Sequence, residues 1–192
     1  MLQLVLGLLI FLGVHSVRVV AEDWRQKTRT RVGESTWKAA YASLSVLGFV
    51  LIVWGFGLVR QAPVVLWSPP TGLRHLASLL TLLAFVCLAA AYWPGNKIKA
   101  WVHHPMTVSV KLWAFAHLVS NGNVGHVLLF GTFLIWAVLV YRAARQRDRT
   151  AGTLYPAGTL GATLATVAIG TAAWLVFAFW LHGLLIGVRP FG

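Results

Sequence analysis

The chain has 192 residues, is 58% hydrophobic and only 10% charged, and carries a formal net charge of +12 from 16 Lys and Arg against 4 Asp and Glu. Soluble domains carry about a quarter charged residues, so this apolar excess excludes a single soluble core and points to lipid as the solvent. The basic residues sit in short runs between apolar segments, which is the pattern of cytoplasmic loops beside anionic lipid and not of a nucleic-acid binder.

A membrane-spanning helix needs about 20 apolar residues. Six segments are candidates, 2–20, 39–58, 73–92, 105–120, 124–141 and 158–186, and they predict an all-α, polytopic transmembrane helix bundle forming a single integral membrane domain over 1–192. The first is apolar from residue 2, with neither a basic lead nor a clean small-x-small cleavage site, and reads as a retained span. It contains His15, and Arg18 lies three residues on, on the same helix face. Arg18 is placed to snorkel or to meet a carboxylate such as a haem propionate. The following loop carries Arg25, Lys27, Arg29, Arg31 and Lys38. Pro69-Pro70 and Pro94-Gly95-Asn96 mark the connections on either side of the third span.

The fourth span is the unusual one. His103 and His104 precede Pro105, which suits a first helical turn, and Lys111 and His117 lie inside the span. Ionisable groups are expensive at membrane depth and mark partners, cavities or cofactors. Trp113 is four residues before His117 and Asn121 four after it, so the three share a face suited to a flat apolar cofactor with a polar edge, or to ordinary packing. Ser120-Asn121-Gly122-Asn123 is a turn signal that makes the fourth and fifth segments a tight helical hairpin. In the sixth, Gly161 and Ala165, and likewise Ala162, Thr166 and Gly170, recur every four residues and allow close helix approach.

Loops one, three and five hold most of the Lys and Arg, whereas the other side has only Arg60, Arg74 and Arg189. The positive-inside rule then predicts that the odd-numbered loops face the cytoplasm and both termini face outward, which is the periplasm if the membrane is a bacterial inner membrane. Cys87 is the only cysteine and C-x-x-C-H is absent, which excludes an intramolecular disulfide and covalent haem attachment. Motifs for zinc proteases, nucleotide hydrolases and serine hydrolases are absent as well. Two imidazoles within spans, His15 and His117, are the minimum for holding a metal or a haem between helices; His75, His126 and His182, near the outer helix ends, are the alternates. By helix midpoints, His15 and His117 differ in depth by roughly 12 Å.

The chain resembles the NnrU family of membrane proteins. The matching residues include Gly13-Val14-His15-Ser16, Trp37, Tyr41, Trp67 with Pro69-Pro70, Arg74-His75-Leu76, Pro94 to Lys99, His104-Pro105-Met106 and Lys111-Leu112-Trp113-Ala114 to His117, over most of 1–140. The resemblance implies an association with denitrification, as a redox or accessory protein beside a redox or respiratory membrane partner. A plant relative, a 15-cis-zeta-carotene isomerase, is similar at the same His-Ser and His-Pro motifs and binds haem b non-covalently. By motif its two ligand histidines fall on His15 and His117, and the cysteine three before the second ligand is Ala114 here. The other functions to be weighed are a haem-dependent membrane isomerase of a polyene and a cofactor-free assembly or transport accessory.

Overall fold

A computed structural model describes residues 1–191, and among them the regular structure is helical apart from two isolated bridges. In chain order the helices are α1 (Leu2–Val20), α2 (Glu22–Val32), α3 (Glu34–Gln61), α4 (Leu73–Tyr92), α5 (Lys97–Val102), α6 (Pro105–Ser120), α7 (Val124–Ala151), α8 (Leu160–Val176), a π turn (Phe177–Leu181) and α9 (His182–Ile186). Five stretches are long and apolar enough to cross a membrane: α1, α3, α4, α7 and the run Leu160–Ile186. The fourth expected span, α6, has 16 residues and rises about 24 Å, short of a hydrocarbon core of ~30 Å. The protein is therefore the all-α membrane bundle its sequence predicts.

Two expectations about boundaries change. The first basic loop is largely a helix: α2 is set off by Ala21 (φ −147) and by Gly33 (φ 86), with Glu22 and Asp23 in its first turn and Arg29 and Arg31 in its last, each sign favourable to the helix dipole. The fifth span was expected to end near residue 141, but α7 runs on to Ala151 and stops at left-handed Gly152 (φ 62). In both places charged, strongly helix-forming side chains continue a helix into water, where hydropathy carries no signal.

The helices pack in the order α3, α1, α7, α6, α4, α8, and α2 folds back on α1 and α3. The main core lies along α1 and α7 and contains Leu4, Leu8, Leu12, Ile52, Ala114, Leu129 and Phe130. The α1–α3 contact is backbone-close: a Cβ on Gly7 would stand 2.6 Å from the Ile52 nitrogen, and one on Gly48 2.8 Å from that of Phe11. At the α4–α8 contact Thr166 is fully buried, and a Cβ on Gly170 would stand 2.6 Å from Val86 Cα, while Gly161 faces open space. Of the two small-residue rows in the last span, the one through Thr166 and Gly170 is thus the packing face.

The C-terminal ends of α1, α4 and α7 and the whole of α2 and α5 lie at one end of the bundle, the basic end. At the opposite end the loop after α3 is joined to the α6–α7 turn: Leu66 N–H and Trp67 N–H donate to the Gly122 carbonyl (2.7 and 3.0 Å), and Val124 N–H donates to Val64 O (2.9 Å).

Candidate functional site

Four histidines share one local device. His15 Nδ1–H donates to the carbonyl of Phe11 (2.7 Å), His117 Nδ1–H to that of Trp113 (2.8 Å), His126 Nδ1–H to Asn123 Oδ1 (2.6 Å) and His182 Nδ1–H to the carbonyl of Val188 (2.7 Å). A carbonyl accepts and cannot donate, so each ring is held in the tautomer that leaves Nε2 with its lone pair. Metal-binding histidines are oriented by the same kind of bond from their other ring nitrogen.

The rings fall at two levels. His15 stacks on Phe11 (centroids 4.2 Å) and lies 5.3 Å from Tyr41 and 6.4 Å from Trp136. His117 stacks on Phe130 (4.4 Å) with Trp113 at 5.4 Å. Trp136 and Phe130 are six residues apart on α7, a rise of roughly 9 Å, and the rings of Phe133 and Trp113, 5.5 Å apart, fill the space between. Two imidazoles on one iron put their nitrogens roughly 4 Å apart. The structure therefore holds His15 and His117 at separate levels, an offset similar to that expected from helix midpoints. His126 is on the same level as His117: it too packs on Phe130 (5.8 Å), and Phe56 stands at 5.1 Å. Arg60 extends over Phe56 (6.0 Å) and donates to the Ile186 carbonyl (2.7 Å), which brings α9 and its His182 to this end. His75 is exposed at the start of α4.

The neighbouring candidates divide similarly. Trp113 packs edge-on to Phe130 (4.9 Å), forming the apolar wall of the His117 level. Asn121 spends its amide on the His117 carbonyl (3.0 Å) and Ser120 Oγ (3.1 Å), so it ends α6. Arg18 lies with His15 in a cavity of about 460 Å³ between α1, α2 and α3. Lys111, for which no carboxylate lies within the spans, sits over the ring of Tyr141 with Nζ 3.6 Å from its centroid. A cation on an aromatic face is stabilised without a counter-charge.

Sequence reasoning missed the role of Asp148. His104 Nε2–H donates to Asp148 Oδ2 (2.7 Å), Tyr155 O–H donates to the same oxygen (2.8 Å), and Arg145 is 3.3 Å away. This cluster pins the start of α6 to the end of α7 and explains His104 as a structural residue. Burial and the adjacent carboxylate push the Tyr155 hydroxyl up to about 12, so it stays a donor at any physiological pH. The partners are 44 residues apart in sequence, and no local pattern announces them.

No group of three or more metal-ligating side chains comes together among the described residues. The donor set suits a cofactor that needs one or two imidazoles and an apolar surround, which is the requirement of a histidine-ligated haem. Neither the curated proteins nor the solved structures include a match to this chain. The family model described as NnrU protein matches residues 3–190, nearly the entire chain, and the protein belongs to the NnrU family.

Proposed function

We propose that this membrane protein holds haem b non-covalently, that His117 would be an iron-binding residue, and that the protein serves as a redox or accessory component of nitrogen-oxide metabolism. The observation that carries the reading is the state of His117: an imidazole in an aromatic surround, tethered at Nδ1 and presenting a free Nε2. Haem supplies reversible one-electron chemistry when bound. The Trp113 carbonyl fixes the ring's tautomer and direction, Trp113 and Phe130 keep water from the ligand, and Arg60 is the cation at the same end for a cofactor carboxylate. His126 offers the second imidazole at this level. His15, the partner implied by the family resemblance, would require α1 and α6 to shift by most of the offset between the two levels. The place in nitrogen-oxide metabolism is carried by the resemblance.

Absorption spectra of the oxidised and reduced protein, purified in mild detergent from haem-replete cells, test this. Wild type should show a Soret band that His117→Ala abolishes and His126→Ala shifts. Equal loss in His15→Ala would mean that the loaded protein draws α1 against α6. Absence of the band from wild type would sink the haem reading.

A further inference from the structure

The cavity at the basic end has a chemistry of its own. Its lining carries Arg18 from α1, Arg25 and Arg29 from α2, and Lys38 from α3, together with apolar and aromatic side chains, Val14, Trp37 and Tyr41. Glu34, the carboxylate in its lining, holds Arg29 (3.0 Å) and Lys38 (2.8 Å), and Glu22, outside the lining, holds Arg25 (3.0 Å). Four cations against two carboxylates leave an excess of two positive charges, and among the described residues Arg18 has no carboxylate within ion-pair distance. His15 adds a further polar edge. Trp24 and Trp37 pack edge-on beside the cavity (5.9 Å), and paired indoles of this kind mark the headgroup level of a bilayer. A volume of about 460 Å³ is within the range of ligand sites.

We propose that this cavity binds the phosphate headgroup of an anionic phospholipid, with Arg18 as the principal contact and Arg25, Arg29 and Lys38 as the surrounding field. Three features select that ligand class. The surplus charge calls for an anion, the guanidinium fork of Arg18 matches phosphate oxygens bidentately, and the apolar side chains lining the same cavity accept the start of an acyl chain. A free phosphate would satisfy the cations and leave those side chains unused. A zwitterionic lipid would bring its own cation into a field that repels it. The site lies apart from the His117 level but contains His15, so the spectra of His15→Ala read the haem pairing while the lipid response of Arg18→Gln reads this site.

Thermal unfolding of the full-length protein in mild detergent tests the proposal, with dioctanoyl phosphatidic acid, dioctanoyl phosphatidylcholine and inorganic phosphate as probes. Phosphatidic acid should raise the midpoint in a saturable way, and phosphatidylcholine and phosphate should not. Arg18→Gln breaks no ion pair of the fold and should weaken the phosphatidic acid response about tenfold or more, the loss expected for a charged hydrogen bond. Lys38→Gln, at an exposed position, should weaken it to a smaller degree and provides the same test should Arg18→Gln misfold. Equal stabilisation by phosphate would overturn the lipid assignment. Equal stabilisation by phosphatidylcholine, or an unchanged response in both variants, would overturn the site.

Discussion

Lys111 lies within apolar α6, where a cation is costly, and its ammonium rests on a single ring. Its ammonium lies 3.6 Å from the centroid of Tyr141, a geometry worth up to about 2 kcal/mol when desolvated. Tyr141→Leu should therefore lower stability in detergent by about 1–2 kcal/mol, whereas Tyr141→Phe keeps the face and should lose only a small part of that, from the 3.3 Å bond to the Val102 carbonyl. A thermal melt of the two variants beside wild type reads the difference; equal losses would show that the ring face is not what stabilises Lys111. Ala114 is fully buried in the main core, at the position where the plant relative has a cysteine, so this chain has a packing contact there and no redox-active sulfur.

At the scale of elements, the α1–α3 pair depends on the absence of side chains. Gly48→Val would drive a branched side chain into the Phe11 backbone, whose nitrogen is 2.8 Å from the first added carbon, and should cost at least the 1–3 kcal/mol typical of overpacking. Gly57→Ala, on the same helix with open space beside it, should be neutral or stabilising. If the two variants melt alike, the close approach is not what joins these helices. The spans themselves are legible in hydropathy: 73–92 and 105–120 have the same ends in the sequence reading and in the structure. Helix α2 is not legible, because Glu22–Val32 is polar apart from Trp24 and Val32, and a charged helix has the composition of a loop. The tethering of His117 follows from its four-residue spacing to Trp113. By contrast, the His104–Asp148–Tyr155 cluster and the cavity beside Arg18 are assembled across helices, and the period of a single helix cannot reveal them.

For the whole molecule, charge sorts the two ends. Twelve of the 16 Lys and Arg lie at the basic end, which also carries all 4 Asp and Glu, and the positive-inside rule predicts a cytoplasmic location for that end. The lone Cys87 is buried, so introduced thiols report against a quiet background. In intact cells an impermeant maleimide should label Ser68→Cys, at the opposite end, and should reach Thr153→Cys only after permeabilisation; the reverse pattern would invert the topology. The stitch between the loop after α3 and the α6–α7 turn also bears on biosynthesis. The amides of Leu66 and Trp67 emerge from the ribosome more than 50 residues ahead of the Gly122 carbonyl that receives them. With the basic end inside, the N-terminal helices enter the bilayer with that loop still open, and its closure waits for the α6–α7 turn to cross. The stitch is then a late step that joins the two halves of the chain at the end opposite the basic one.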